Sequence, residues 1–129
     1  MKKILNYING ELIAPSAGNY FDNINPATGE VYSLIPDSDH HDVNDAVAAA
    51  CAAFGSWSSL AVEKRSSILL RIAELIDRDL DVLAVAESVD SGKTVFLAKS
   101  LDIPRASANL RFFATGAIHF SSEAHVTGA

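Results

Sequence analysis

The sequence predicts an α/β chain that lays down its strands first and its helices afterwards. Two patterns predict this. Up to Pro36, short runs of strand character are separated by Asn-Gly and Pro/Gly turn signals. Beyond Asp39, apolar residues recur at spacings of three and four, the period of a helix face. Strands are therefore expected over about residues 4–36, and three to four helices over about 40–122.

The first strand signal is Tyr7-Ile8-Asn9-Gly10-Glu11-Leu12-Ile13, where Asn-Gly suits a type I′ hairpin because both residues tolerate positive φ. Asn25-Pro26-Ala27-Thr28-Gly29-Glu30 reads as a second turn, with proline pre-setting one φ and glycine supplying the other. Val31 to Ile35 then alternates as a strand that Pro36 ends.

Asp39 or Asp42 is placed to cap the first helix. That helix carries an apolar face of Val43, Ala46, Val47, Ala50 and Phe54, and Gly55 is expected to end it. A second helix starts near Val62, with Ile68, Leu69, Ile72, Leu75 and Ile76 on one face and Glu74 spaced to pair with Arg78. A continuation through Leu80, Leu83, Val85 and Ala86 closes at Gly92, a C-terminal cap. A last helix begins near Thr94. Pro104 should kink or restart it for want of an N–H, with Asp102 capping the restarted segment.

Composition narrows the function classes. A chain of 129 residues fits one small domain without repeat or linker. Its net charge is −6, and sparse Lys and Arg form no basic stripe, which argues against a nucleic-acid partner. Cys51 is the sole cysteine, so no internal disulfide forms, which is compatible with a reducing cytosol. No apolar run suits a signal peptide or the roughly 20 residues of a membrane helix, so no membrane partner and a cytoplasmic location are expected.

Most of the reactive residues read as structural. Ser91-Gly92-Lys93-Thr94 echoes a phosphate loop, but Glu87 stands where that loop needs its first glycine, and the segment follows a helix. A helix cap is the better account. Cys51 lies in an alanine-rich helix with no cation or histidine nearby to stabilise a thiolate. His40 and His41 should point in different directions, and His119 and His125, six apart, do not share a face. No zinc set is completed. No Gly-x-Gly-x-x-Gly turn follows a strand, so no dinucleotide fingerprint is present.

One ordered set of segments carries more. It comprises Asn25-Pro26-Ala27-Thr28-Gly29-Glu30, Trp57 after the alanine-rich helix, Glu87-Ser88-Val89-Asp90-Ser91-Gly92-Lys93, Asp102-Ile103-Pro104-Arg105, and Asn109-Leu110-Arg111-Phe112-Phe113-Ala114. In this order and spacing the chain resembles the opening portion of an aldehyde dehydrogenase over nearly its whole length. The Asp-Ile-Pro-Arg and Arg-Phe-Phe-Ala pieces resemble the branch that oxidises 2-hydroxymuconic and 2-aminomuconic semialdehydes.

The resemblance implies an α/β parent, with residues 1–129 an incomplete N-terminal part of its cofactor-binding domain. It implies an NAD- or NADP-dependent oxidation of an aldehyde to an acid. A cysteine thiolate would form a thiohemiacetal, hydride would leave to the nicotinamide, and a glutamate would assist hydrolysis of the thioester. The catalytic cysteine, glutamate and asparagine of family members lie beyond Ala129, so this segment is expected to be inactive and to bind no cofactor by itself. The full-length parent would be a homodimer or homotetramer acting on a small aldehyde.

The resemblance places Arg105 on the helix at the mouth of the substrate tunnel, where a guanidinium suits the distal carboxylate of a semialdehyde acid. The competing reading is a solvated arginine on a helix face. Arg111 is its rival, on a different face and better suited to structural pairs. The resemblance also implies a structural monovalent cation held by Asp90 and by the backbone carbonyls of Asn23 and Ile24, against the plainer reading of Asp90 as a polar residue before a cap.

Leu101, Ile103, Leu110, Phe112, Phe113, Ile118 and Phe120 put apolar bulk on several sides of the last helix, which favours burial. Little remains within the chain to bury it, which points to a truncated chain. The alternative is a stand-alone, non-catalytic helical interaction module that docks a partner or a second copy through Phe112, Phe113, Ile118 and Phe120.

Overall fold

The computed structural model describes residues 1–121 and 123. Strands β1 (Lys2–Lys3), β4 (Tyr20–Ile24) and β5 (Val31–Pro36) form one sheet in the order β1-β5-β4. β1 runs parallel to β5, and β4 antiparallel to it. Strands β2 (Asn6–Ile8) and β3 (Glu11–Ile13) pair as a separate antiparallel hairpin. The hairpin turn takes the form that its Asn-Gly pair favours, with φ of 52° at Asn9 and 84° at Gly10. Strand structure starts two residues earlier than the sequence pattern indicates: Lys2 and Lys3 pair with Ser33 and Leu34, and the Lys3 ammonium lies 4.4 Å from the Tyr20 ring centroid.

Of the two aspartates expected as alternatives, Asp39 is the N-cap of helix α1 (His40–Ser58) and Asp42 is its partner inside the first turn. The Asp39 carboxylate accepts from the backbone N–H groups of His41 and Asp42, and Asp42 Oδ2 accepts in return from the Asp39 N–H, a capping box. Asp42 is buried because its other oxygen accepts from the Ser16 N–H at 2.9 Å, tying the loop after the hairpin to the helix. Gly55 does not end α1. It keeps helical geometry, and the helix continues to Ser58. The apolar face of α1 is also not covered: Val43, Val47 and Phe54 are exposed.

Helices α2 (Val62–Arg78) and α3 (Leu80–Ser91) are separated by Asp79. Arg78 grips that neighbour with two N–H groups, at 2.8 and 2.7 Å, instead of reaching back to Glu74. Glu74 pairs with Arg71. One helical turn, α4 (Val95–Leu97), is capped by Thr94 and widens into a π-helical turn over Ala98–Asp102. Helix α5 (Ile103–His119) follows with Pro104 in its first turn, where the missing N–H costs no hydrogen bond. The widened turn, closed by the Ile103 N–H on the Ala98 carbonyl, is how the restart expected at Pro104 is made. The last helix thus ends at His119, before the expected bound, and residue 122 lies outside the described residues.

The core is built from small side chains. Ala73, Ala84, Ala98 and Ala114 are fully buried, and Ser66 and Ser107 nearly so. Lacking bulk at these points, α2 and α5 pack closely, and the Ser107 hydroxyl donates to the Ala73 carbonyl at 3.3 Å. Arg111 of α5 pairs with Asp77 of α2 at 2.6 Å, the structural role its position favours. The large side chains lie elsewhere. Phe96, Phe112, Phe113 and Phe120 are each at least two-thirds exposed, so α5 presents its aromatic residues to solvent.

Candidate functional site

The site is organised by Gly92. Its φ of 75° lets the chain leave α3 in a left-handed conformation, with its N–H bonded to the Ser88 carbonyl. A methyl group there would also sit 2.9 Å from Pro26 Cβ. The Asn-Pro turn therefore packs directly on the end of α3. That turn is closed by the Asn25 carbonyl, which accepts from the N–H groups of Thr28 at 3.2 Å and Gly29 at 2.8 Å.

On the strand side, the turn brings β4 and β5 to Asp90. The Tyr32 hydroxyl donates to Asp90 Oδ1 at 2.5 Å, and the Asn23 amide donates to the same oxygen at 3.2 Å. The Asn23 amide also reaches the Tyr32 oxygen, at 2.8 Å. The phenol first, and the amide second, hold the Asp90 carboxyl below the ordinary carboxylate value, while the carboxylate raises Tyr32. Oδ2 of Asp90 has no protein donor among the described residues. The ladder between β4 and β5 slips its register between Asn23 and Ile24. Asn23 and Asp90 are thus in direct contact and Ile24 is adjacent. The contact Asn23 makes with Asp90 is through its side-chain amide.

On the helix side, Lys93 follows the glycine and turns back. Its ammonium lies 2.9 Å from Glu87 and 2.8 Å from Asp102 Oδ2, and these carboxylates, Asp102 first, raise its pKa. The Ser88 hydroxyl donates to the Lys93 carbonyl at 2.6 Å and fixes the backbone there. Asp102 Oδ1 accepts from Arg105 Nη2 at 3.1 Å. Asp102 is not a cap. Its backbone is helical, and its side chain makes no capping bond because the chain runs through it as a helix. Arg105 lies largely in solvent, and its remaining N–H groups meet no protein acceptor among the described residues.

An open groove joins the two clusters, lined by Ile4, Tyr32, Leu83, Glu87, Asp90 and Ile103. Tyr32, Lys93 and Asp102 were not legible as site residues. The segments that hold the second cluster, Glu87 to Lys93 and Asp102 to Arg105, stand out in the sequence as family-like, but nothing in them shows that their charges meet.

The other reactive residues stay apart. Cys51 is exposed on α1. The rings of His40 and His41 do not diverge: their centroids are 3.9 Å apart, tilted by 39°. The His41 N–H bound to Asp39 at the helix start fixes the backbone that brings them together. His119 ends α5, and His125 lies outside the described residues. Ser91 to Thr94 makes a helix end and a new cap, with Ser91 donating to the Glu87 carbonyl and Thr94 accepting from the Leu97 N–H. Among the described residues no cluster of three or more His, Cys, Asp or Glu could hold a metal ion, and no helix is long and apolar enough to cross a membrane.

Comparison with known proteins gives this arrangement a context. Residues 13–128 match the model of the aldehyde dehydrogenase family. The chain is 47% identical over 118 residues to a 2-aminomuconic semialdehyde dehydrogenase of Bos taurus, covering 92% of this chain and 24% of that protein. It is 39% identical over 115 residues to a 2-hydroxymuconic semialdehyde dehydrogenase of Pseudomonas sp. (strain CF600), covering 88% and 24%. The crystal structure of PnpE in complex with nicotinamide adenine dinucleotide superimposes with a TM-score of 0.93 at 32% identity, covering 100% of this chain and 26% of that one. The chain spans about a quarter of the length of the curated relatives it matches.

Proposed function

The chain belongs to the aldehyde dehydrogenase family, and on that premise we propose that residues 1–129 form the N-terminal part of the cofactor-binding domain of an NAD- or NADP-dependent enzyme that oxidises a semialdehyde acid to a carboxylic acid. In this reading the segment contributes scaffold and substrate recognition. The nicotinamide cofactor, when bound, supplies the hydride acceptor. By the family resemblance the catalytic cysteine, glutamate and asparagine match no residue of this sequence, so in this reading the segment does no chemistry and holds no cofactor alone. The full-length enzyme is cytoplasmic and works as a homodimer or homotetramer on a small-molecule aldehyde.

Arg105 carries the substrate reading. Its guanidinium is tethered by one N–H to Asp102 and stands otherwise free in solvent, as an anchor for a distal carboxylate must before substrate arrives. The semialdehydes named for the relatives carry such a carboxylate. We also propose Asp90 with the carbonyls of Asn23 and Ile24 as a monovalent cation site, a reading supported by the side-chain bonds from Asn23 and Tyr32 that fasten the strands to Asp90 on α3. The exposed aromatic residues of α5 support the same reading, since this helix face awaits cover from further parts of the enzyme. They would equally serve a stand-alone interaction module, and the exposure of Phe112, Phe113 and Phe120 is the observation that favours that second reading.

The test is Arg105→Ala in the full-length enzyme. KM for acid-bearing aldehydes should rise far more than KM for neutral ones, on the scale of about 2–5 kcal/mol for a desolvated charge pair. Equal losses for both classes would remove Arg105 as the anchor.

A further inference from the structure

We infer that Asp102 is a positioning residue for Arg105, held in place from outside its own helix by Lys93. The inference rests on the reading of Arg105 as the carboxylate anchor. It comes from how the charges are divided. The Asp102 side chain is 15% exposed, whereas that of Arg105 is 62% exposed. The aspartate is therefore the more buried member of the pair and the arginine the more exposed one.

The two oxygens of Asp102 are allotted separately, Oδ2 to the Lys93 ammonium at 2.8 Å and Oδ1 to Arg105 Nη2 at 3.1 Å. Neither accepts a backbone N–H, so the carboxylate has no capping duty. Lys93 is itself fixed. Its backbone follows the left-handed Gly92, its carbonyl is held by Ser88, and its ammonium is shared with Glu87. Two carboxylates and two cations thus form one chain of contacts, Glu87–Lys93–Asp102–Arg105.

This arrangement suits the presentation of a guanidinium. Residues three apart on a helix share a face, so Asp102 meets Arg105 without distorting α5. A contact through one N–H leaves the rest of the planar fork open to a second carboxylate. Lys93 occupies the other Asp102 oxygen and so discourages a two-pronged Asp102–Arg105 pair that would bury the fork against the protein. Binding then costs less of the side-chain freedom that a loose arginine would lose.

The experiment measures kcat and KM in the full-length enzyme for one acid-bearing and one neutral aldehyde, with Asp102→Asn, Asp102→Glu, Arg105→Ala and the double variant Asp102→Asn/Arg105→Ala. We expect Asp102→Asn to raise KM for the acid-bearing aldehyde about three- to tenfold, from the freedom released by one long side chain. KM for the neutral aldehyde should change less than KM for the acid-bearing one. Asp102→Glu should keep the preference for the acid, because a carboxylate still reaches both cations. In the Arg105→Ala background the Asp102 effect should vanish. If KM for the acid falls in Asp102→Asn, the aspartate is a competitor for Arg105 and the inference is wrong. It is also wrong if both aldehydes suffer equally, or if Asp102→Glu loses the preference as well. If Arg105→Ala leaves the preference intact, the anchor reading itself fails. If Arg105→Ala removes it while Asp102→Asn does not, only the positioning role fails.

Discussion

Replacing Gly92 with alanine should be far more damaging than the same change at Gly29, although both glycines have nearly the same φ, 75° and 74°. The left-handed conformation alone costs a residue with a Cβ about 1–2 kcal/mol. That is the whole cost at Gly29, where a methyl group would meet nothing within 4 Å. At Gly92 the methyl would lie 2.9 Å from Pro26 Cβ and 3.4 Å from the Ala27 nitrogen. A proline ring and a backbone atom cannot step aside as a flexible side chain would, so the whole turn must move. Forcing such an overpacked contact costs a further ~1–3 kcal/mol. Urea unfolding of the two variants, followed by helical circular dichroism, should therefore show Gly29→Ala losing about 1–2 kcal/mol and Gly92→Ala about 2–5 kcal/mol. Equal losses would refute the claim that the Asn-Pro turn is seated on the end of α3, and with it the geometry that brings Asn23 and Tyr32 to Asp90.

Two further outcomes follow from the same structure. The Asp90 carboxyl has a folded value below its ordinary 3.8, so its contribution to stability is complete above that value and is lost as pH falls through the lower folded one. Tyr32→Phe removes the largest cause of the depression, so carboxyl titration of Asp90 by NMR should move upward, and an unchanged titration would contradict the Tyr32 contact. Phe112→Ser with Phe113→Ser should sharply reduce dye binding and concentration-dependent association of the isolated chain while leaving its helix content intact, since both rings are already about two-thirds exposed. An isolated chain that is monomeric and binds no dye would contradict the open aromatic face.

What could be read from sequence was local chemistry. Asn9-Gly10 and Gly92 announce their turns because only residues tolerant of positive φ fit there. Asp39 and Asp42 announce a helix start because the backbone groups they cap are at most three residues away. What the residue pattern by itself does not show is anything decided at a distance; only the family resemblance groups Asn23 with Asp90, 67 positions on. Tyr32 and Asp90 are 58 positions apart, and no periodicity links them. Val43, Val47 and Phe54 repeat like a core face, yet periodicity gives the face of a helix without saying what covers it. Asp102 looks like a cap because it precedes Ile-Pro, but the π turn carries the helix through it and frees its carboxylate for Lys93 and Arg105. Gly55 looks like a stop, but a cost of about 1 kcal/mol for glycine within a helix does not outweigh the turns on either side.

In the proposed function this segment supplies recognition and scaffold for an aldehyde oxidation carried out by residues outside it. The most direct measurement is NAD reduction by the purified 129-residue chain, supplied with a muconic semialdehyde and compared with the full-length enzyme at equal concentration. Reduction is expected from the full-length enzyme and none from the chain. Aldehyde-dependent reduction by the chain alone, abolished by Cys51→Ala, would contradict it by placing the nucleophile on α1.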